Sequence, residues 1–345
     1  MIKPIPHKVL VIAEAGVNHD GDLKKAMQLI DAAADSGADV VKFQTFKAQH
    51  LVTTDAELAQ YQRRVSAHHI GEPDSNSQLS LLEKLQLTRE DHTKLREHCG
   101  RRGIEFFSTA FDLGSLDLLM EMGARRVKIP SGEITNLPYL RKVATFNCDV
   151  IMSTGMADLS EVADAINCLK AAGLPKNKIT LLHCTTEYPA PIEDVNLRAM
   201  VTMRETFGLR VGYSDHTEGI DVPIAASALG AAVIEKHFTL DQKASGPDHA
   251  ASIEPPELKR MVEGIRRIEL ALGSEEKKCT SSERQNLLLV RKSIVAAKAI
   301  RKGELFSEEN LTAKRPASGI SPMLWDAVIG KQASRSFAPD EQIQI

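Results

Sequence analysis

The sequence predicts a parallel (β/α)8 barrel (a TIM barrel) followed by a small C-terminal domain. Eight short β-branched runs lie within the first ~275 residues, and segments with helical apolar spacing separate most of them. A length of ~275 residues for eight strands is the size expected of such a barrel. Continuous apolar strands that alternate with helices are typical of a parallel sheet covered on both faces. Polar residues end each run, as expected where the loops of a barrel carry an active site.

The eight predicted strands are Val9–Glu14, Asp39–Gln44, Ile104–Thr109, Arg126–Ile129, Val150–Ser153, Ile179–Cys184, Arg210–Tyr213 and Ala232–His237. A doubly wound open sheet is the alternative fold. No glycine-rich dinucleotide fingerprint follows the first strand, so the closed barrel is favoured.

The pattern divides the chain into a barrel domain at 1–275, a linker at 276–287 and a small domain at 288–345. The boundary is drawn where helical spacing gives way to a charged segment without periodicity. A domain of about 57 residues is near the lower limit for a core that holds alone. We therefore expect it to gain burial from another surface.

Local patterns predict several single elements. Asp22–Ala34 has the spacing of a helix, Ser293–Ala297 that of a strand, and Leu311–Pro316 an extended segment, while Met323–Val328 predicts a short helix. A polar, turn-rich insert, Lys47–Leu87, separates the second and third strands. Long loops at this position of a barrel are usually lids or binding loops.

Composition restricts the function classes. With 345 residues, 43% of them hydrophobic, the chain can bury a large core. A net charge of -3 gives no basic surface for nucleic acid, and no charge block predicts a membrane-binding face. The N-terminus lacks the order of a signal peptide, so a cytoplasmic protein is expected.

Two histidines follow successive predicted strands. His216 and His237 would reach one place, because the ends of neighbouring parallel strands meet at the same mouth. A lone histidine at a strand end is more often structural, but a pair with Asp215 and Glu235 beside it favours a metal or acid–base site. Imidazoles suit first-row divalent ions, and two protein nitrogens leave positions open for water and substrate.

Two lysines near strand ends predict an anionic substrate. Lys42 and Lys128 lie in the last residues of their strands, where a buried ammonium group without a partner is costly. Hydroxyl donors accompany them at neighbouring strand ends: Thr109, Ser131, Ser153 and Ser214. Such a set suits a phosphate or carboxylate. The alternative is that some of these lysines face the helices and the serines cap helices.

Glu14 ends the first strand, and Ala15 and Gly16 behind it leave backbone room for a ligand. A carboxylate there can orient water or move a proton. The alternative is an ion pair with Lys42 or Lys128, and the two roles are compatible.

At these residues the chain resembles the sialic acid synthase family, which condenses phosphoenolpyruvate with an acylamino sugar to make nine-carbon 2-keto sugar acids. The resemblance covers nearly the whole chain. The matching segments are Ile12–Gly21, Val41–Gln44, Lys128–Glu133, Ser153–Met156, His183–Pro189, Ser214–Thr217, Glu235–Phe238 and Gly246–Asp248. The C-terminal segment, with Lys314-Arg315-Pro316, is similar to the antifreeze-like domain of that family (SAF, a β-clip fold).

The resemblance implies roles for single residues. A divalent ion, Mn²⁺ or Mg²⁺, is expected on His216 and His237, which join Glu14 and Lys128 as the catalytic set. Phosphoenolpyruvate is expected at Lys42, Thr109, Lys128, Ser131, Ser153 and Ser214. The sugar is expected near Gln44, Asn76, Glu133, Tyr188, Asp248 and Arg315. In the family the small domain crosses to the partner subunit, which implies a domain-swapped homodimer in which Arg315 reaches the other barrel.

One motif bears on the acceptor sugar. Where N-acetylneuraminate synthases tend to read Cys-Thr-Asn before Tyr-Pro, this chain has Cys184-Thr185-Thr186-Glu187-Tyr188-Pro189. That variant is similar to the legionaminic acid branch, whose acceptor is 2,4-diacetamido-2,4,6-trideoxymannose. N-acetylneuraminate synthesis from N-acetylmannosamine is the alternative.

Rival classes fit the sequence less well. Another metal-dependent aldolase or a phosphoenolpyruvate–sugar-phosphate synthase would share the barrel, but the second phosphate would need an extra basic cluster. A non-catalytic sugar-binding or ice-binding protein is the other alternative. Ice binding needs a regular threonine-rich face, and Thr312 is the only threonine in the sequence of residues 288–345.

Overall fold

The computed structural model describes residues 8–53, 56 and 77–345. The chain forms two compact units, Met1–Gly273 and Ser274–Ile345. The first unit is a closed barrel of parallel strands. The strands are β1 (Leu10–Gly16), β2 (Val40–Thr45), β3 (Glu105–Ala110), β4 (Arg126–Ile129), β5 (Asp149–Ser153), β6 (Ile179–His183), β7 (Arg210–Asp215) and β8 (Val233–His237). β1 pairs with β8, so the predicted closed barrel is confirmed and the open sheet is excluded.

Alternation along the strands divides the core into two layers. Inward-facing apolar side chains fill the lower part of the barrel: Ile12, Val40, Phe107, Ile151, Leu182 and Val233. Outward-facing residues such as Val11, Ala13 and Val41 join the larger core beneath the helices. The interior leaves no room at Gly212, where a Cβ would lie 2.3 Å from the carbonyl oxygen of Val233. The polar residues that follow in each strand therefore lie above a closed apolar floor.

The helices that surround the barrel are α1 (Leu23–Asp35), α2 (Ala48–Leu51), α3 (Gln78–Leu85), α4 (Arg89–Arg102), α5 (Leu113–Glu121), α6 (Leu137–Thr145), α7 (Leu159–Ala171), α8 (Arg198–Phe207), α9 (Asp221–Ala228) and α10 (Pro255–Leu272). Side-chain caps start several of them. Asp22 caps α1, and Thr88 and Asp158 form capping boxes with the acidic residues three positions later. No helix in the described ranges is both long enough and apolar enough to span a membrane.

The insert after β2, predicted to be polar and turn-rich, contains helical segments in its described residues. Helices α2 and α3 lie in the parts of the insert at 47–53 and 77–87, and the Ser77 hydroxyl caps α3 by accepting a hydrogen bond from the Ser80 amide. Leu81, Leu82 and Leu85 of α3 pack beside Phe46 in a small apolar cluster. The sequence of α3 is short and directly follows a turn-rich segment, so the composition of the insert does not indicate this helix.

The second unit has its own small core. Helix α11 (Arg284–Val290) precedes an antiparallel pair, β9 (Ser293–Ala296) and β10 (Leu311–Lys314), and α12 (Trp325–Val328) follows. Its apolar centre consists of Ile294, Ala296, Ile300, Phe306, Leu311, Val328, Ala333, Phe337 and Ile343. Helix α11 begins inside the segment predicted as a linker. The predicted strand at Ser293 and the short helix ending at Val328 are confirmed.

Candidate active site

Inward-facing polar residues meet at the C-terminal mouth of the barrel, directly above the apolar floor. The strand registers place Glu14 level with Lys42 and His237, Thr109 with Lys128, and Ser214 with Glu235. Neighbouring strands lie about 4.8 Å apart, so the side chains of such pairs can touch. All of these residues are buried.

Lys42 links β1 to β3 through its ammonium group. Its Nζ lies 2.6 Å from Glu14 Oε2 and donates a 2.8 Å hydrogen bond to Thr109 Oγ1. Burial alone lowers the pKa of Lys42, but the attraction of Glu14 and Glu235 more than offsets this and raises it. Lys42 is therefore held as a cation inside the barrel.

Lys128 occupies the opposite side of the same cluster. Its Nζ donates to Ser153 Oγ at 2.7 Å and to Glu235 Oε1 at 3.1 Å. Ser214 Oγ donates to the same Oε1 at 3.0 Å. Glu235 is thus the shared acceptor at the centre of the cluster, with Lys42 Nζ 3.7 Å away.

Glu235 was absent from the predicted site, although a signal for it exists. Side chains alternate along a strand, so Glu235 must face the same way as His237. Burial raises the pKa of Glu235, but the charges of Lys128 and Lys42 outweigh it and bring the pKa to about 2. Glu235 is ionised near neutral pH and neutralises one of the two lysines.

Glu14 has the opposite balance. Burial dominates and raises its pKa to about 7, with Lys42 opposing the shift and repulsion from Glu235 adding to it. Near neutral pH, Glu14 therefore exists partly as the carboxylic acid. In that form the cluster of two lysines and two carboxyl groups carries one excess positive charge. An anion is the natural partner of such a cluster.

The two histidines lie beside this cluster, with ring centres 5.5 Å apart. His216 Nδ1 is 2.6 Å from the carbonyl oxygen of Thr185, which can only accept, so Nδ1 carries the proton and Nε2 keeps its lone pair. Burial lowers the pKa of His216 and, together with the neighbouring His216, lowers that of His237 well below its usual value. Both rings are therefore neutral.

The chemistry of the two rings fits a divalent ion. His237 Nδ1 is buried and makes no hydrogen bond within the described part of the chain. Neutral imidazoles with available lone pairs are common ligands of first-row metals. Among the described residues, no group of three or more His, Cys, Asp or Glu side chains is arranged to hold a metal. An ion bound here would thus have two protein nitrogens and open positions.

Gly16 brings the predicted sugar residues towards Glu14. It has φ of 53°, and a Cβ there would lie 3.4 Å from Asp248 Oδ2, from Gln44 Nε2 and from Glu14 Oε1. A side chain would crowd these three groups in a backbone conformation that favours glycine. Burial raises the pKa of Asp248 to about 6. Gln44 and Asp248 therefore converge on the side of Glu14.

Tyr188 adds an aromatic wall next to the histidines. The ring centre of Tyr188 lies 4.2 Å from that of His216 and 5.7 Å from that of His237. The His216 carbonyl accepts a hydrogen bond from the Ala190 amide at 2.8 Å, which fixes the segment after Tyr188 against β7. Tyr188 thus borders the same space as the two imidazoles.

Ser131 lies at the edge of this mouth. Its Oγ accepts a hydrogen bond from the Gly155 amide at 3.0 Å and is 3.3 Å from Cys184 Sγ. A Cβ on Gly155 would lie 2.2 Å from Thr186 Oγ1 and 2.8 Å from Ser131 Oγ. Glycine is therefore required where these three loop segments meet.

The predicted sugar-binding residues also include Glu133, Arg315 and Asn76. Glu133 is half-buried and accepts a hydrogen bond from Asn136 rather than from a residue of the cluster. Arg315 belongs to the second unit, where its Nε donates to the Val290 carbonyl at 2.9 Å. Asn76 lies outside the described residues.

The structure is that of a (β/α)8-barrel protein whose mouth holds two buried lysines, two buried carboxyl groups and a histidine pair. The NeuB family model matches residues 29–277, and the SAF domain model matches residues 291–345. The chain belongs to the NeuB family.

Known relatives extend over nearly the whole chain. It is 54% identical over 337 residues to the N,N'-diacetyllegionaminic acid synthase of Campylobacter jejuni, covering 98% of this chain and 99% of the relative. The enzyme of the same name from Legionella pneumophila is 48% identical, covering 95% and 91%. Among solved structures, the N-acetylneuraminic acid synthetase of Leptospira borgpetersenii matches with a TM-score of 0.69 and 34% identity, over 81% of this chain and 90% of that chain.

Proposed function

We propose that this protein is an N,N'-diacetyllegionaminate synthase that joins phosphoenolpyruvate to open-chain 2,4-diacetamido-2,4,6-trideoxymannose and releases phosphate. The similarity to two enzymes of that name supports the acceptor. The observation that carries the reaction class is the buried cluster in which Glu235 neutralises one of two lysines and hydroxyl donors surround both. Phosphoenolpyruvate has two anionic groups, a phosphate and a carboxylate, and the excess positive charge would stabilise both.

Phosphoenolpyruvate is assigned to this cluster. Its phosphate and carboxylate would accept from Lys42 and Lys128 and from the hydroxyl groups of Thr109, Ser131, Ser153 and Ser214. These donors are already fixed by hydrogen bonds or ion pairs within the protein, so little reorganisation is needed when charge moves. The sugar is assigned to the adjoining space lined by Gln44, Tyr188 and Asp248, with Glu133, Asn76 and the partner's Arg315 completing it by family resemblance.

A divalent ion, Mn²⁺ or Mg²⁺, is proposed on His216 and His237, and when bound it supplies Lewis acidity to the sugar aldehyde. The protein groups then act as follows. C3 of phosphoenolpyruvate forms a bond to C1 of the sugar while the lysines hold the phosphate. Water adds at C2, and Glu14 takes one of its protons and passes it to the C1 oxygen. The C2–O bond to phosphate breaks, and the second proton leaves with the phosphate.

Glu14 suits this role because its pKa of about 7 matches the pH at which it must both accept and donate a proton. Its 2.6 Å contact with Lys42 also supports a position beside the proposed phosphoenolpyruvate site. The alternative suggested by the sequence, an ion pair with Lys42, is therefore compatible with proton transfer.

The reaction class is tested with phosphoenolpyruvate labelled with ¹⁸O at the bridging oxygen. Cleavage between carbon and oxygen carries the label into the released phosphate, whereas cleavage between phosphorus and oxygen leaves it in the sugar acid. Labelled phosphate is expected. Unlabelled phosphate would contradict the proposed mechanism, and no phosphate release with any acceptor would favour the non-catalytic sugar-binding alternative.

N-acetylneuraminate synthesis is the second candidate. The structural similarity to the Leptospira N-acetylneuraminic acid synthetase favours it, at lower identity than the legionaminic acid enzymes. Both reactions use the same lysine cluster and differ in the acceptor. Thr186 replaces the asparagine typical of N-acetylneuraminate synthases, which supports an acceptor with a second acetamido group.

A domain-swapped homodimer is proposed from the family resemblance. Within the second unit, Arg315 is exposed, and Leu288, Leu289 and Val290 of α11 are 58%, 66% and 49% exposed. Apolar side chains this exposed in a small domain are expected to be covered in an assembly. The cytoplasmic location stays a prediction.

A further inference from the structure

Asp215 and Lys236 form an ion pair on the outside of the barrel wall. Lys236 Nζ lies 2.6 Å from Asp215 Oδ2, and both side chains are 0% exposed. They occupy the layer between strands and helices, where neighbours such as Ile234 and Phe238 are apolar. Charges placed in such a layer are costly unless every polar atom is paired.

Each group of this pair is satisfied by one short segment after β7. Asp215 Oδ1 accepts from the Thr217 amide at 3.1 Å and from Thr217 Oγ1 at 2.9 Å. Lys236 Nζ donates to the Thr217 carbonyl as well as to Asp215. The pair therefore ties together the end of β7, the end of β8 and the first loop residue beyond His216.

The ion pair lies next to both histidines of the mouth, so it can influence their positions. Asp215 and Lys236 form the last register pair between β7 and β8, and each directly precedes one of the two histidines. His216 stands between Asp215 and Thr217, which are both fixed by the pair. Any change in the separation of these strand ends would change the 5.5 Å separation of the two imidazoles.

We propose that Asp215 and Lys236 are positioning residues that hold His216 and His237 at the separation needed to bind a divalent cation. This inference rests on the metal site proposed above. Neither residue faces the substrate space, so their effect would pass through the histidines. An ion pair that served stability alone could be replaced by neutral groups without loss of metal affinity.

The test uses the full-length double variant Asp215→Asn with Lys236→Met. Asparagine keeps an oxygen acceptor for Thr217, and methionine fills the volume of the lysine without an unpaired charge. Removing one partner alone leaves the other charge buried, which is why the double variant is preferred. Mn²⁺ affinity is measured by titration calorimetry, and thermal unfolding is followed in parallel. A matched control removes the Asp39–Arg266 pair, which precedes β2 at the opposite end of the barrel.

We expect Mn²⁺ affinity to fall by about 10- to 100-fold in the double variant, as is typical when the support of a metal ligand is lost, while the protein remains folded. The control should keep wild-type affinity. Unchanged affinity in the folded double variant would overturn the inference. If the double variant does not fold, Asp215→Asn alone carries the same test, because the amide still accepts from Thr217 and Lys236 still donates to the Thr217 carbonyl.

Nitrogen-15 spectra of the imidazoles without metal separate this inference from the proposed metal site. If wild-type protein does not bind Mn²⁺, the metal proposal fails, but the tautomer of His216 still reports its position. The wild-type protein should show a proton on Nδ1 because of the contact with Thr185. A mixture of tautomers in the double variant would support the positioning role, and an unchanged Nδ1–H tautomer would exclude it.

Discussion

Glu14 and Glu235 share the ammonium group of Lys42, at 2.6 Å and 3.7 Å, yet their pKa values diverge to about 7 and about 2. Glu235 also accepts hydrogen bonds from a second lysine, Lys128, and from the Ser214 hydroxyl. Lys42 is the main group that lowers the pKa of Glu14, and burial raises that pKa by more. Two carboxyl groups whose environments separate their pKa values can take different roles. In the proposed reaction, Glu235 pairs with the two lysines and Glu14 transfers the proton.

The raised pKa of Glu14 predicts a pH dependence of stability. Between pH 4.5 and 7 the folded protein keeps the proton on Glu14 while the unfolded chain has lost it. The contribution of Glu14 to the free energy of unfolding is therefore largest below pH 4.5 and is lost as the pH rises through 7. The difference in free energy of unfolding between wild type and Glu14→Gln should fall with rising pH, by up to about 1.4 kcal/mol per unit. Denaturant titrations of both proteins at several pH values measure this difference. A difference that grows with pH would contradict the assignment.

Replacing His237 should remove metal binding. We expect His237→Ala to abolish metal-dependent turnover and to weaken Mn²⁺ binding by more than the ~10–100-fold typical of losing an outer-shell group. His183→Asn is the matched control, because His183 also ends a barrel strand but binds the Val195 carbonyl instead. Calorimetric titration with Mn²⁺ compares the two. Normal activity in His237→Ala would exclude the metal assignment.

The contact between Gly155 and Ser131 predicts a second pair of variants. In Gly155→Ala the added methyl group must displace Thr186 or Ser131, so kcat/KM for phosphoenolpyruvate should fall by about tenfold or more, as expected for a lost hydrogen bond to a charged ligand. In Gly132→Ala the new Cβ would meet nothing within 4 Å, so kcat/KM should change little. Equal effects in both variants would show that Ser131 does not hold the substrate.

The swapped dimer predicts complementation between an inactive variant and one that is impaired at low sugar concentration. Arg315→Ala should mainly raise the KM for the sugar, whereas Lys314→Ala, which removes a pair with Asp340, should not. If Arg315 acts across subunits, co-expressed Arg315→Ala and His237→Ala chains form heterodimers with one complete site. At sugar concentrations far below the KM of Arg315→Ala, activity near one quarter of wild type is then expected, since about half of the dimers are mixed and each has one intact site. No recovery would place Arg315 in its own subunit's site.

The sequence predicts the barrel well, because each strand and most helices have a clear period and the order of elements leaves few topologies. It also predicts the lysines, hydroxyls and histidines of the mouth, because strand ends meet there. Glu235 and Lys236 show the limit. Alternation relative to His237 directs Glu235 into the mouth and Lys236 to the outer face, but the partners that each finds there depend on the register with β7.

The approach of distant loops could not be predicted from the sequence. Asp248 lies near Glu14 because the chain after β8 folds back over the barrel mouth. The Ile253 amide donates a hydrogen bond to the His237 carbonyl, and the Asn18 side chain donates one to the Ser252 hydroxyl. Contacts of this kind depend on tertiary packing and have no local pattern. The same reason explains why Glu133, close in sequence to Ser131, lies outside the cluster.

The acceptor sugar is identified most directly by phosphate release from phosphoenolpyruvate with Mn²⁺. The initial rates with 2,4-diacetamido-2,4,6-trideoxymannose and with N-acetylmannosamine are compared at matched concentrations. We expect kcat/KM to favour the diacetamido sugar by about 10-fold or more, the range one pocket contact can supply. A preference for N-acetylmannosamine would instead make this protein an N-acetylneuraminate synthase, and release with neither sugar would contradict the proposed synthase activity.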